Sequence, residues 1–429
     1  MRQRTSGEVE ERRVAGRLLP TVEEAQAYAA RLAADAADLR SREDARAFDR
    51  LVDVVAPLCL VLHSFPLDPD LPGLVAATDP ARMATVLEPV LPSAGHGLEL
   101  QSCRPEVVKY ALGGQCVLRY ELLWRVQPSR RTVRQVVYGK VYSDERGSHI
   151  GPTLTALHER LHAARAPRPF LLPRFQGYLP GLRLALLEAL PGTPQVPDLV
   201  RSWVAGERPS GPTALTAESA LATCARIAGA LHAPAPHALV LPGAASGGQD
   251  RTLQGELDGV QHDLEALATY APALAALLGG RLGALAPVAR AGGLPMLTTH
   301  GDFAPSEVLF DGPLSGVYDL DAACVAEPAR DLGQFAAHLS LVAARAARIA
   351  GAPVTERGQS LEGVFLGEYL QARPDLDREA LWGITGAYRT LTLVRVAARS
   401  WRQLKPERLQ LAVSLLQEPQ PAPRQRQYT

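Results

Sequence analysis

The sequence predicts an α+β chain in two lobes, a small β-rich N-terminal lobe with one main helix and a large, mainly helical C-terminal lobe. Three observations carry this. At 429 residues the chain can bury one large core or two ordinary ones. Between Val107 and Tyr142, Val, Leu and Tyr crowd into short runs broken by Gly113 and Gly114, as strands joined by tight turns require. Beyond the Pro- and Gly-rich ALPGTPQVP, apolar residues recur at helical spacing almost to the end.

Taken in order, residues 1–18 are charged and aperiodic and read as a tail without fixed structure. Residues 19–100 form an extension. From Thr21 to about Ala56, the positions Ala25, Tyr28, Leu32, Ala36 and Leu39 mark an amphipathic helix or helix pair, followed by a loop-rich connector. Residues 101–190 form the β-rich lobe. VVKYALGGQCVLRYELLWRV and TVRQVVYGKVYS give a three-strand antiparallel meander, with Lys140 near its end. GPTLTALHERLHAARA reads as the main helix, and two short strands follow, at Phe170 to Phe175 and Leu182 to Leu187. Residues 191–416 form the helical lobe, with helices expected at Ala217–His232, Leu253–Leu278, Ala326–Ile349, Glu362–Leu370 and Arg378–Leu404. Only Pro295 to Asp321 reads as short strands and loops. The Pro- and Gln-rich residues 417–429 read as a flexible tail.

Composition excludes several classes. A formal net charge of zero argues against a nucleic-acid surface. The apolar stretches are interrupted before membrane length, and MRQRTSGEVEERR has no signal-peptide core, so a cytoplasmic protein is expected. Five cysteines without metal-ligand spacing fit buried free thiols. Of 45 basic residues only Lys109, Lys140 and Lys405 are lysine, which singles out Lys140 where a compact ammonium differs from a guanidinium.

The chemistry concentrates between Leu297 and Gln334. Asp302 follows His300 and Gly301, Glu307 lies five residues on, and Asp319 ends a short apolar strand. Phosphoryl transfer from a nucleotide needs that order: one carboxylate facing a hydroxyl, another holding magnesium, and an oxygen between them completing the metal shell. His300 is expected to brace the loop, Asp331 to fix it, and Asp321 either to assist the metal or to bond backbone. Lys140 could reach nucleotide phosphates beneath the Gly113–Gly114 turn, whose amides could approach phosphate oxygens. Glu159 is either the residue that holds Lys140 or a solvated helix position. Main-chain groups of Glu188, Ala189 and Leu190, at the exit to the hinge, could bond an adenine edge.

HGDFAPSEVLF, GVYDLDAA and PARDLGQF together resemble the aminoglycoside phosphotransferase and choline kinase superfamily, a branch of the protein-kinase-like fold. The meander, Lys140 and the LLEALPG hinge fall in that family's order, and the resemblance spans roughly Val107 to Leu404. It implies a bilobal kinase that uses ATP and Mg2+ to phosphorylate a small-molecule hydroxyl acceptor: a sugar, an aminoglycoside or an amino alcohol. Glu307 departs from the pattern. Most of the superfamily has Asn there, and some maltokinase-type sugar kinases look to have Gln. The added charge raises the alternative of a pseudokinase that binds nucleotide without catalysis. Aminoglycosides are polycations, yet residues 301–429 hold 15 Asp or Glu against 14 Lys or Arg, which shows no acidic excess. Arg395, Arg399 and Arg402 form a stripe on one helix face that, if turned toward the acceptor, would suit an anionic or neutral polyhydroxyl compound.

Overall fold

The computed structural model describes residues 2–5, 8–11, 13–39, 50–91, 97–163, 170–207, 214–234, 251–351 and 355–418. It is α+β and divides into two compact units. The first comprises Met1–Gly151 and Arg174–Ala189, the second Pro152–Pro173 and Leu190–Thr429. Residues 152–173 therefore group with the helical unit, a different division from the expected boundary at 190.

The first unit opens with an antiparallel pair, β1 (Arg2–Thr5) and β2 (Glu8–Glu11). β3 (Val14–Leu18) follows, then α1 (Val22–Leu39), β4 (Val52–Val55) and β5 (Leu60–Ser64), with the three strands in the order β3-β5-β4. The expectation of a structureless N-terminus is thus corrected. The register from Val14↔Ser64 to Leu18↔Leu60 gives this short segment backbone partners that its own pattern does not announce. The expected helical face of α1 is the buried one: Ala25, Tyr28, Leu32, Ala36 and Leu39 pack with Val61 and Leu67. Helix does not continue to Ala56, because the β-branched Val52–Val55 pairs with β5 instead; residues 40–49 lie outside the described set.

The expected connector holds α2 (Leu74–Ala77) and α3 (Pro80–Leu87). Asp79 caps α3 by accepting from the Arg82 amide, and Pro80 takes the first turn, where no N–H is needed. Leu74, Met83 and Leu87 bury against Leu118, Tyr120, Trp124 and Val137 of the main sheet. That sheet is antiparallel, in the order β6 (Leu98–Ala111), β7 (Gln115–Val126), β8 (Arg131–Tyr142), β10 (Leu184–Glu188), β9 (Phe175–Leu179). The meander is as expected, and β6 tolerates Pro105 because it is an edge strand. The strand expected at Phe170 begins at Phe175. Before it, Leu171 donates its amide to Ser315 in the second unit.

The second unit holds α4 (Ile150–Ala163), α5 (Val196–Ala205), α6 (Ala217–Leu231), α7 (Leu253–Ala268), α8 (Pro272–Gly283) and α9 (Ala286–Ala291). Next come β11 (Leu297–Thr299), β12 (Val308–Asp311), β13 (Leu314–Val317) and β14 (Cys324–Ala326). The chain ends in α10 (Ala329–Ala350), α11 (Thr355–Ala372), α12 (Arg378–Arg402) and α13 (Pro406–Gln417). The single helix expected over Leu253–Leu278 breaks before Pro272, which cannot continue a helix but can begin one. Pro272–Ala291 is long and apolar enough by length and composition to cross a membrane, counter to expectation, and it is two helices, α8 and α9, that pack on α7 and α12. Phe303, Phe335 and Phe365 stack at centroid distances of 5.2 and 4.1 Å, tying the loop after β11 to α10 and α11. Of the expected C-terminal tail, residues 419–429 lie outside the described set.

Candidate active site

β11 pairs antiparallel with β14, Leu297↔Ala326 to Thr299↔Cys324, and the loop carrying Asp302 leaves its end. A β12–β13 hairpin follows, with Glu307 at its entry and Asp319 beyond its exit. The Tyr318 amide donates to the Glu307 carbonyl at 3.2 Å, so the entry and exit of the hairpin lie side by side.

His300 links this end to Asp302. The Asp302 amide donates to His300 Nδ1 at 3.3 Å, which leaves the ring hydrogen on Nε2, and Nε2 donates to the Tyr318 carbonyl at 2.9 Å. One imidazole therefore ties Asp302 to the residue preceding Asp319. The backbone segments that carry Asp302, Glu307 and Asp319 thus meet at one end of one hairpin. Asp302 is exposed, and the Gln334 amide group of α10 donates to its Oδ1. Asp319 adopts a left-handed conformation, φ 64° and ψ 45°, tolerated by Asp better than by most residues and typical of positions where side-chain direction matters.

Beneath this surface lies Asp331, fully buried at the start of α10. Its carboxylate accepts from the His300 amide at 2.6 Å, the Gly301 amide at 2.8 Å and His232 Nε2 at 3.1 Å. Tyr369 hydroxyl meets His232 Nδ1 at 2.9 Å. Arg330 donates to the Gly301 carbonyl at 2.5 Å and is itself held by buried Glu256. Gly301 has φ +83°, and a Cβ there would lie 1.9 Å from the Ala322 carbonyl oxygen, so only glycine fits between His300 and Asp302. Burial would raise the Asp331 carboxyl, but the hydrogen bond from His232 and the neighbouring His232, His300 and Arg330 hold it below the usual carboxylate range.

The residues of the first unit are placed as follows. Lys140 is buried on β8, opposite Val117 and Ala185. The Gly113–Gly114 expectation needs correction. The Gly113 amide donates to Asp68 Oδ2 at 2.9 Å, and the Gly114 amide donates to the Ala111 carbonyl at 3.0 Å. Both turn amides therefore have internal acceptors rather than facing a phosphate. A Cβ on Gly113 would also come within 2.9 Å of Asp70 Oδ2, and Asp70 is held by Arg17 at 2.7 Å. Asp68, buried in the extension, accepts from the Tyr110 hydroxyl at 2.9 Å as well. Asp68→Ala strips an acceptor from three donors at once, the Gly113 and Asp70 amides and the Tyr110 hydroxyl, and is expected to destabilise the chain by about 1–3 kcal/mol, read as a lower urea midpoint. Glu159, on α4, is exposed and enters no ion pair among the described residues, which is the solvated reading. The Glu188 amide donates to the Arg174 carbonyl at 2.9 Å, so it is already used; Leu190 belongs to the second unit, with its side chain against Gly316.

Gln334, Arg330 and His232 were not singled out in the sequence. Gln334 carried a signal, lying one helical turn beyond Asp331, whereas His232 had none, because its partner is 99 residues away.

Glu307 and Asp319 offer hard oxygen donors of the kind magnesium takes, through one or two carboxylates with phosphates and water completing its shell.

Residues 150–361 match the family model described as the phosphotransferase enzyme family. The match agrees with the resemblance to the aminoglycoside phosphotransferase and choline kinase superfamily. Comparison with curated proteins gives no match. Among solved structures, the macrolide 2'-phosphotransferase apoenzyme of Brachybacterium faecium is 18% identical, with 80% of this chain and 100% of that one covered at a TM-score of 0.44. An ethanolamine kinase of Plasmodium vivax is 12% identical, covering 75% and 83% at 0.48. A glucosamine kinase bound to glucosamine, ADP and inorganic phosphate is 17% identical, covering 79% and 85% at 0.47. Likenesses this distant do not bear on the acceptor of this chain.

Proposed function

We propose that the chain is a phosphotransferase that moves the γ-phosphoryl group of ATP, with Mg2+, to the hydroxyl of a small molecule. The observation that supports it most is that the segments carrying Asp302, Glu307 and Asp319 are tied together through the His300–Tyr318 link. Asp302 orients the acceptor hydroxyl and accepts its proton as the oxygen bonds the γ-phosphorus; the bond to the β–γ bridging oxygen breaks and ADP leaves. Magnesium, when bound, neutralises charge on the phosphates, and Asp319 and Glu307 are the residues that would hold it. Lys140 is the proposed partner of the nucleotide phosphates, and the main chain at Leu190 that of the base.

The test is a thermal-shift series with ATP and GTP, with and without Mg2+, followed by ADP release across sugars, aminoglycosides and amino alcohols. A magnesium-dependent rise in Tm and acceptor-dependent ADP release are expected. Nucleotide binding indifferent to magnesium, with no transfer to any acceptor, identifies a binding module instead. Glu307→Gln keeps the shape and removes the charge. It is expected to retain turnover while raising the magnesium concentration for half-maximal rate by about tenfold or less.

A further inference from the structure

The arginine stripe of α12 divides into paired and unpaired members. Arg395 is bound to buried Glu256, and Arg402 lies 3.6 Å from Asp263, both on α7. Arg399, between them, has no ion-pair partner among the described residues, and neither does Arg408 on α13, which packs on both α10 and α12. Arg408 is half-buried, and burial followed by the charge of Arg399 lowers its pKa. His338 lies one helical turn along α10 from Gln334, the residue that holds Asp302. Burial first, then Arg408 and Arg399, push the His338 ring down to about 4, with Asp302 opposing. One side chain therefore lies within electrostatic reach of both unpaired arginines and of the carboxylate proposed to receive the acceptor's proton.

Two guanidinium groups that act on each other, one of them half-buried and neither in an ion pair among the described residues, raise the free energy of the empty protein. A ligand anion would relieve that, and a polycation would worsen it. We infer that the acceptor carries an anionic group, a carboxylate or a phosphate, beside its hydroxyl, and that Arg399 and Arg408 hold that group. The inference rests on the phosphotransferase reading and narrows its substrate class. The transfer is unchanged: the hydroxyl oxygen bonds the γ-phosphorus, its proton goes to Asp302, ADP leaves, and the anionic group stays intact.

The test uses the full chain and four probes of similar size: gluconate, glucose 6-phosphate, glucose and glucosamine. Binding is measured by calorimetry without nucleotide, and transfer by ADP release with MgATP. An anionic probe is expected to bind more tightly and to show the lower KM, and comparing gluconate with glucose 6-phosphate decides between carboxylate and phosphate. The pair R399Q/R408Q should raise Kd and KM for that probe by about 10- to 100-fold, whereas R399K/R408K should retain part of the affinity and R402Q all of it. Glucose or glucosamine binding as well as the anions, or an anion Kd unmoved in R399Q/R408Q, overturns the inference. Anion binding lost in R399Q/R408Q but without transfer to any probe would uphold the arginine site and count against the kinase reading. Transfer to neutral or cationic probes alone would do the reverse.

Discussion

Asp302→Asn is expected to lower kcat by about 100- to 10,000-fold while leaving the Kd for MgATP near its starting value. The asymmetry follows from where the residue sits. Asp302 is exposed, its backbone is held by His300 and its side chain by Gln334, and none of these contacts belongs to the proposed metal ligands Glu307 and Asp319. Asn preserves the shape and can still meet Gln334 through its carbonyl oxygen, so the loop should keep its place. What is lost is a group able to take the hydroxyl proton and to attract the nucleophile by charge. Asp319→Asn should show the opposite division, weaker magnesium-dependent nucleotide binding together with lost turnover. Equal turnover in Asp302→Asn would reject the assignment, and single-turnover kinetics would separate a chemical defect from slow product release.

The site was legible where its logic is local. Leu297 to Gln334 contains Asp302, Glu307, Asp319 and Asp331, and the short strands expected there form both the β11–β14 and β12–β13 pairs, so the segment's local pattern was enough to single it out. The face of α1 was legible for a similar reason, since a helical period names its own buried positions. What failed depended on distant partners. The glycine turn read as open to phosphate because Asp68 approaches it from a segment that, taken alone, is loop-like. Val14–Leu18 read as tail because five residues that follow a charged, aperiodic run show a strand only beside β5. The Arg395–Arg399–Arg402 stripe looked uniform until α7 supplied carboxylates to its two ends and left the middle unpaired.

The largest loss of stability is expected from Asp331→Ala, about 3–5 kcal/mol, because one fully buried carboxylate serves three donors. Its removal leaves the His300 and Gly301 amides and the His232 ring without an acceptor, in a place water does not reach. Asp331→Asn should cost less, since its carbonyl oxygen can keep one or two of these bonds while its amide group opposes a donor. The same carboxylate makes stability depend on pH. Its folded-state pKa lies below the unfolded value, so the native state holds fewer protons there; its contribution is fully present above the unfolded carboxylate range and is lost as pH falls through the depressed folded value. Urea unfolding of the parent between pH 6 and the acid limit should therefore steepen at low pH, and Asp331→Asn should flatten that part of the profile. Because the loop hung on Asp331 also carries Asp302, turnover in Asp331→Asn should fall through misplacement alone. A flat stability profile in the parent, or unchanged stability in Asp331→Ala, would separate the buried network from the site it supports.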